Sequence, residues 1–243
     1  QTVVFWRSER KIVRGSVYGR RMRVAQWRFL DTGRGSAFFN MALDEAILRD
    51  VQAGCSPPAF RVYEWEPSAI TVGYSQDAGA AIDLGKCRRD NVPVTRRLTG
   101  GRAVFHADEA TYSVIGFVED PAFGGKLMDT YRAISRALIG AFVQLGADAR
   151  WSRGEPGANR YTLGENASPC FLSVSRYEIT LGGRKLVGSA QRRMGKCFLQ
   201  QGSILTGPGH ERITDYLRNT GSGGETRATL LEKTADLASA MGK

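Results

Sequence analysis

Hydrophobic positions recur with a helical period in two parts of the chain. After Ser36, apolar residues follow at intervals of three and four as far as Val51, which places them on one face of a helix. Serine readily accepts hydrogen bonds from a helix N-terminus, so we predict a helix over residues 37–52 with Ser36 as its N-cap. The same spacing over residues 127–145 predicts the longest amphipathic helix of the chain.

Shorter segments between and after these helices have the composition of β-strands. The pair Gly182-Gly183 lies between two of them and predicts a β-hairpin. The strands are predicted at residues 59–65, 68–74, 93–98, 102–106, 110–118, 176–181, 184–191 and 197–205. Helical patterns return at residues 211–218 and 228–239. Because strands and helices do not alternate strictly, we predict an α+β fold, a mixed β-sheet packed by helices.

The composition, 42% hydrophobic and 24% charged, is that of a globular protein. No apolar run approaches the roughly 20 residues that cross a bilayer, and no apolar stretch of the signal-peptide kind follows the basic residues 1–21. We expect residues 1–21 to be a basic N-terminal extension outside the fold, and residues 22–243 to form a single domain. The four cysteines lie far apart and form no CxxC pair, so a reduced, cytoplasmic setting is expected.

The formal net charge of +10 favours acidic partners, such as nucleic acid, an anionic membrane or an acidic protein. The basic residues are dispersed apart from short clusters, and no nucleic-acid reader motif accompanies them. Neither nucleic acid nor a membrane is therefore an expected partner. The chain has two histidines, and its cysteines lack metal-ligand spacing, so no metal site is expected.

Two adjacent glycines, Gly100 and Gly101, lie between predicted strands and form the most distinctive local pattern. Adjacent glycines let a backbone approach a ligand closely and expose its N–H groups. The flanking Arg97 and Arg102 can hold anionic or carbonyl oxygens through forked hydrogen bonds. The alternative is an ordinary hairpin turn with solvated arginines, and the glycines alone do not decide between the two. We refer to residues 97–103 as the glycine loop.

His106 closes the segment that contains the glycine loop. We interpret it as a hydrogen-bonded structural histidine rather than a proton-transfer group. A dyad with Cys170 stays open as an alternative, because such pairs meet in space rather than along the chain.

Cys170 precedes the predicted hairpin. A thiolate is a good acyl carrier, but a free thiol with a pKa of about 8.5 is only a few per cent ionised at neutral pH. It needs a nearby cation, and Lys185 on the second strand of the hairpin is a candidate. Strand alternation puts Lys185 on the same face as Val187, so we expect this face to be at least partly buried. The alternatives are a buried, inert cysteine and a surface lysine beside Arg184.

These segments together resemble the biotin/lipoate ligase and octanoyltransferase superfamily, over about residues 24–218. Four motifs in the family's order carry the resemblance: Asn40-Met41-Ala42-Leu43-Asp44-Glu45, Val72-Gly73-Tyr74-Ser75-Gln76, Arg96-Arg97 with Gly100-Gly101-Arg102 and His106, and Gly183-Arg184-Lys185 with Gly188-Ser189-Ala190. The resemblance implies that residues 22–243 are a single catalytic domain of the biotin/lipoate ligase type, which stops short of the family's usual C-terminal end.

Within the superfamily, the chain is most similar to the cysteine-dependent octanoyltransferases whose cysteine precedes the lysine. Pro169-Cys170-Phe171 resembles their reactive segment, and Arg102 stands where ligases generally have a third glycine. The resemblance implies that Cys170 and Lys185 are catalytic and that no cofactor is required. It also implies a substrate-binding set of Gly73, Gln76, Arg97, Gly100, Gly101, Arg102, His106, Gly188, Ser189 and Ala190.

The reaction implied by the resemblance is a two-step acyl transfer. Octanoyl passes from acyl carrier protein to Cys170, and then to a lysine of a lipoyl domain or of glycine-cleavage H protein. Lys185 would lower the pKa of Cys170 and stabilise charge on the reacting carbonyl. Acidic partners of this kind fit the basic surface. Two alternatives remain open: an ATP-dependent lipoate-protein ligase, and a catalytically silent module that binds lipoyl domains.

Overall fold

The computed structural model describes residues 26–152, 178–218 and 223–242. Its strands are β1 (Arg28–Gly35), β2 (Ala59–Trp65), β3 (Ala69–Val72), β4 (Val94–Arg96), β5 (Val104–His106), β6 (Glu109–Phe117), β7 (Ala149–Trp151), β8 (Ile179–Leu181), β9 (Arg184–Met194) and β10 (Cys197–Leu205). Its helices are α1 (Ala37–Gln52), α2 (Ala78–Ala81), α3 (Leu84–Arg89), α4 (Leu127–Gln144), a 3-10 helix (Pro208–Asp215), α5 (Gly223–Lys233) and α6 (Leu237–Met241). None of the helices in these three ranges is long and apolar enough to cross a bilayer.

Two β-sheets form the framework of the described residues. The larger sheet has the strand order β1-β2-β6-β10-β9-β8-β7, with β1 parallel to β2 and the other neighbours antiparallel. The smaller sheet has the order β4-β3-β5, with β3 parallel to β4 and antiparallel to β5. The glycine loop runs from the end of β4 to the start of β5, so it crosses the C-terminal end of β3.

The larger sheet lies between helices α1 and α4. Val114 and Ile115 are neighbours on β6 and therefore point to opposite faces of the sheet. The α1 side of the sheet is a cluster of Ile47, Leu48, Val51, Ala59, Ile115, Cys197 and Leu199. The α4 side is a cluster that includes Ile134, Leu138, Phe142, Val114, Phe198 and Leu186. Burial on both faces fixes the register of the central strands, and so fixes which side chains face the glycine loop.

Most of the predicted elements are confirmed, and so is the α+β class with a mixed sheet packed by helices. The helix over residues 37–52 and the strands over residues 59–65 and 197–205 have the predicted bounds. The N-cap is also confirmed, because the Ser36 hydroxyl accepts a hydrogen bond from the backbone N–H of Phe39 at 3.3 Å. Gly182 and Gly183 form the predicted hairpin turn, with φ of 57° and 78°.

Two expectations about strands are corrected. The hairpin alternative for the glycine loop is wrong, because β3 lies between β4 and β5. Strand β1 was not predicted, because this edge strand alternates between exposed and half-buried positions and carries Asp31, Thr32 and Arg34. The short elements α2, α3 and β7 also lacked a periodic signal.

The C-terminal elements differ from the prediction as well. A 3-10 helix over Pro208–Asp215 replaces the helix predicted at residues 211–218. The helix predicted at residues 228–239 is divided, because the backbone N–H of Ala235 donates to the carbonyl of Lys185 at 3.0 Å instead of continuing α5. Asp236 then caps α6 through a hydrogen bond from the backbone N–H of Ser239. The predicted extension, residues 1–21, lies outside the described residues.

Candidate functional site

A pocket lies between the two sheets, beside the glycine loop. It is lined by residues of α1 (Met41), β3 (Thr71), the glycine loop (Arg97 and Thr99), β5 (His106), β9 (residues 188–190) and β10 (residues 201–203), among others. Small residues on β9 form one wall, and the Met41 side chain lies on the α1 side. An extended aliphatic chain can lie against such a wall, while the buried polar groups beside it can fix its carbonyl end.

The glycine loop is held in close backbone contact with the end of β3. A Cβ atom placed on Gly73 would lie 1.9 Å from the carbonyl oxygen of Gly101, so no other residue fits at position 73 without moving the loop. Gly101 has φ of +95°, a conformation that L side chains rarely adopt. A Cβ atom on Gly100, in contrast, meets nothing within 4 Å. Glycine is therefore sterically required at positions 73 and 101.

Arg97 is buried and binds the carbonyl oxygens of its own loop. Its Nη2 donates to the carbonyls of Gly100 at 2.9 Å and Arg102 at 2.7 Å. Its Nη1 donates to the carbonyl of Thr71 at 3.2 Å and to the Thr71 hydroxyl at 3.0 Å. These donors shape the loop, and the guanidinium also faces the pocket. Its predicted contact with a substrate stays a prediction.

The turn formed by residues 73–76 is hydrogen-bonded to Arg96, at the end of β4. Arg96 donates from Nη1 to the carbonyls of Gly73, Tyr74 and Gln76 at 2.7, 2.8 and 2.7 Å. The Gln76 side chain accepts a hydrogen bond from the backbone N–H of Gly73 at 3.3 Å. Gly73 and Gln76, both predicted to bind substrate, therefore form a turn that supports the glycine loop.

His106 is buried and uses both ring nitrogens. Nδ1 lies 2.8 Å from Oε1 of Glu109, and Nε2 lies 2.7 Å from the hydroxyl of Thr71. The ring also stacks on Trp65, with centroids 3.9 Å apart and an angle of 14° between the planes. These contacts agree with the interpretation of His106 as a hydrogen-bonded structural residue. A dyad with Cys170 cannot be measured, because Cys170 lies outside the described residues.

Glu109 is a member of this site that the sequence did not single out. Its Oε1 also accepts hydrogen bonds from the hydroxyls of Thr111 at 2.5 Å and Ser203 at 2.8 Å, and from the indole of Trp65 at 3.2 Å. Burial alone would raise the pKa of Glu109, but the charge of His106 and the hydrogen bonds together lower it. Glu109 is therefore an ionised, buried carboxylate.

A second buried network, centred on Asp44, supports the loop from the other side. The ion pair between Asp44 and Arg61 is 2.7 Å long, and both side chains are almost fully buried. Asp44 also accepts from the amide of Gln201 at 2.7 Å, and the Gln201 oxygen accepts from the hydroxyl of Thr99 at 2.8 Å. Helix α1, strand β10 and the glycine loop are thus joined through Asp44. The motif at residues 40–45 contains Asp44, but its partners could not be predicted from the sequence.

The wall formed by β9 carries the predicted residues Gly188, Ser189 and Ala190. The Ser189 hydroxyl lies 2.8 Å from the hydroxyl of Tyr112, and the Ser189 carbonyl accepts a hydrogen bond from Tyr131. All three predicted residues line the pocket, together with Arg97 and His106. The structure thus brings together these five residues of the predicted set, while Gly73, Gln76, Gly100, Gly101 and Arg102 form or brace the adjacent loop.

Lys185 is buried at the start of β9, with 1% of its side chain exposed. Its Nζ lies 2.7 Å from Oε1 of Glu178, whose side chain is 8% exposed. The predicted burial of Lys185 and Val187 is confirmed, and the alternative of a surface lysine is wrong. The contact predicted between Lys185 and Cys170 falls on a residue that the structure does not describe.

Two of the other three cysteines lie at sites unlike that of an activated thiol. Cys87 and Cys197 are buried. Burial raises the pKa of both thiols, and the nearby Asp83 adds to the effect at Cys87. Cys55 is exposed in the turn that follows α1.

Comparison with known proteins agrees with this architecture. The chain is 43% identical to Octanoyltransferase LipM of Moorella thermoacetica over 184 residues, which cover 76% of this chain and 66% of that protein. It is 41% identical to Octanoyltransferase LipM of Kyrpidia tusciae over 192 residues, which cover 79% of this chain and 70% of that protein. The chain therefore spans about two thirds of the length of these relatives.

The fold also matches that of a solved structure. The crystal structure of lipoate-protein ligase A bound with ATP superposes with a TM-score of 0.67 at 25% identity, covering 87% of this chain and 76% of that one. Residues 36–236 match the family model described as the lipoyl protein ligase A/B catalytic domain. These residues include every described strand except β1, together with the glycine loop and the pocket. The resemblance inferred from the four motifs is confirmed, and this chain belongs to the lipoyl protein ligase A/B catalytic domain family.

Proposed function

We propose that this chain is a protein N-octanoyltransferase of lipoate assembly, an acyltransferase that works through a thioester on Cys170. The donor is octanoyl-acyl carrier protein, and the acceptor is a lysine of a lipoyl domain or of glycine-cleavage H protein. The observation that carries the proposal is the identity of 43% and 41% to two octanoyltransferases over three quarters of the chain. The net charge of +10 favours acidic carrier domains as partners.

The chemistry needs a nucleophile that can accept and release an acyl group. The Cys170 thiolate attacks the thioester carbonyl of the donor, a new C–S bond forms, and the carrier leaves as its thiolate. The neutral amine of the acceptor lysine then attacks the acyl-enzyme. A C–N bond forms, the Cys170 C–S bond breaks, and the proton lost by the amine passes to solvent. The first step exchanges one thioester for another, so its free-energy change is close to zero. The second step is driven by formation of the amide.

Lys185 supplies the positive charge for this reaction. A buried lysine tends to lose its proton because burial penalises the charged form. The carboxylate of Glu178, 2.7 Å from Nζ, compensates for burial and keeps Lys185 a cation. A cation beside the thiol lowers the pKa of Cys170 and stabilises negative charge on the carbonyl oxygen as it develops.

The competing function is ATP-dependent ligation of free lipoate. A thioester is already activated, so the octanoyltransferase needs no adenylate, whereas a free carboxylate does. Arg102 occupies a loop position where ligases generally have glycine, which favours the transferase. The family relationship to ligases makes the distinction necessary, since lipoate-protein ligase A has been seen with ATP bound.

The remaining features of the proposal follow from these assignments. We place the enzyme in the cytoplasm, where cysteines stay reduced. Residues 22–243 form the catalytic domain, and residues 1–21 are a basic extension outside its fold. The substrate-binding residues are those predicted above, with Arg97, His106, Gly188, Ser189 and Ala190 at the pocket.

One experiment separates transferase from ligase. The full chain is mixed with an apo lipoyl domain and octanoyl-acyl carrier protein without ATP or magnesium, and the mass of the lipoyl domain is measured. We expect octanoylation, with little or no modification from free lipoate plus ATP and magnesium. Efficient modification by lipoate and ATP, retained in C170A, would identify a ligase. Binding of the lipoyl domain without modification under either condition would identify a silent module.

A further inference from the structure

We propose that Glu109, His106 and Thr71 form a hydrogen-bonded chain that positions the glycine loop for acyl binding. Glu109 and Thr71 are positioning residues that act through Arg97, and His106 is the link between them. The expected effect on acylation kinetics rests on the proposed function. The expected effect on the order of the glycine loop does not.

The chain begins at a buried anion. An ionised glutamate only accepts hydrogen bonds, so the 2.8 Å contact between Glu109 and His106 requires a proton on Nδ1. The other ring nitrogen, Nε2, lies 2.7 Å from the Thr71 hydroxyl, which donates to a neutral ring and accepts from a protonated one. Glu109 thus fixes the orientation of the His106 ring and, through that ring, the position of the Thr71 hydroxyl.

The next link connects Thr71 to the loop. The Thr71 oxygen, held by His106 on one side, accepts a hydrogen bond from Nη1 of Arg97 at 3.0 Å. The opposite side of the same guanidinium holds the carbonyls of Gly100 and Arg102 at 2.9 and 2.7 Å. A guanidinium is planar and rigid, so fixing Nη1 fixes where Nη2 can hold the loop.

The close packing of the glycine loop tolerates little displacement. Gly101 approaches Gly73 so closely that even a methyl group at position 73 is excluded. Arg97 and Thr99 both line the pocket, so a shift of the loop changes the shape of the binding site directly. The hydrogen bond from Thr99 to Gln201 anchors the far side of the loop independently. Loss of the Thr71 link therefore loosens the loop without detaching it.

The same geometry argues against proton transfer by His106. Both of its ring nitrogens are engaged by Glu109 and Thr71, and one face of the ring is covered by Trp65. The Thr71 hydroxyl in turn accepts a bond from a cation, which makes it a poor nucleophile. The hydrogen-bonded chain of Glu109, His106 and Thr71 holds the glycine loop in place. We therefore expect its loss to weaken substrate affinity rather than to slow the chemical step.

The test compares two substitutions at Thr71, each of which removes a different part of the side chain. T71V keeps the shape but removes the hydroxyl, whereas T71S keeps the hydroxyl but removes the methyl group. T95V is the matched control, since Thr95 lies opposite Thr71 in the register of β3 and β4. For each variant, single-turnover acylation by octanoyl-acyl carrier protein gives the half-saturation concentration and the limiting rate. Hydrogen exchange of residues 97–103 is measured on the same samples without substrate.

We expect T71V to raise the half-saturation concentration about tenfold, a loss equivalent to ~1.4 kcal/mol, with a nearly unchanged limiting rate. T71S and T95V should resemble the parent, and exchange in the loop should increase in T71V alone. If T71V does not fold, E109Q provides the same comparison from the other end of the chain. Equal exchange and affinity in T71V and T71S, or a fall in the limiting rate alone, would overturn the inference. A parent enzyme that is not acylated at all would overturn the proposed function instead, and the exchange data would still decide the positioning chain.

Discussion

The ammonium of Lys185 lies 2.7 Å from the carboxylate of Glu178, and both side chains are withdrawn from solvent. They lie on the two arms of the hairpin, with Glu178 just before β8 and Lys185 at the second position of β9. Neither charge is stable alone in such an environment, so each depends on the other.

Replacing Lys185 alone is expected to cost more stability than removing the pair. K185M removes the cation 2.7 Å from the buried Glu178 carboxylate and should lower the free energy of unfolding by about 3–5 kcal/mol. K185M combined with E178Q removes both charges and should recover part of that loss. Urea denaturation of the parent, the two single variants and the double variant measures the coupling. Additive losses would show that the two charges do not depend on each other.

Loss of the cation is also expected to change the reactivity of Cys170. K185A should raise the pKa of the Cys170 thiol, because a charge that stabilises the thiolate is removed. The rate of iodoacetamide labelling of Cys170, followed by peptide mass spectrometry against pH, reports this pKa. Labelling of the exposed Cys55 in the same samples is the internal control. An identical pH profile at Cys170 in K185A would leave Lys185 with a structural role only.

Gly73 and Gly100 should differ sharply in their tolerance of a substitution. G73A forces a methyl group to within 1.9 Å of the Gly101 carbonyl oxygen, so the loop must move, and we expect lost stability and at least a tenfold loss of acylation. G100A introduces no contact within 4 Å and should be tolerated sterically. Thermal unfolding and acylation of both variants test the contrast. Comparable activity in G73A and the parent would mean that the loop does not pack as described.

Acidification is expected to weaken the fold through His210. Burial lowers the pKa of His210 below its ordinary value of 6.5, against the opposing charges of Glu109, Asp236 and Asp108. The unfolded chain therefore binds more protons than the folded one as pH falls below 6.5, and stability present above that pH is lost.

Comparison with H210Q isolates this contribution. The parent should lose more unfolding free energy than H210Q between pH 7.5 and 5.5, a range in which exposed carboxylates with ordinary pKa values of about 4 stay ionised. Denaturant midpoints at the two pH values give the difference. Equal losses in the two proteins would show that His210 does not titrate differently on folding.

Local patterns in the sequence were sufficient to predict many of the elements. Ser36 and the apolar spacing determine α1, and Gly182-Gly183 determines the hairpin, because each signal lies within the element it forms. The buried networks could not be predicted in this way. Asp44 contacts Gln201, 157 residues away, and Glu109 contacts Ser203, 94 residues away. Such contacts depend on which strands pair and in what register, and no local pattern contains that information.

The glycine loop is a second feature that local sequence patterns predicted only in part. Its residues were identified from sequence, but a hairpin and a ligand-binding loop remained equally compatible with them. The insertion of β3 between β4 and β5 excludes the hairpin and brings Gly73 under Gly101, whereas ligand binding by the loop stays a prediction. Lys185 was correctly expected to be buried, while its partner Glu178 was not foreseen, since the bulge in the pairing of β8 with β9 is not visible in the sequence.

The central claim is that Cys170 carries the acyl group, and intact-mass spectrometry tests it most directly. The parent protein is mixed with octanoyl-acyl carrier protein in the absence of an acceptor, and the adduct is located by peptide mapping. We predict one octanoyl group on Cys170, absent in C170A and retained in C55A, C87A and C197A. An adduct that maps to Cys197, or one that persists in C170A, would contradict the account.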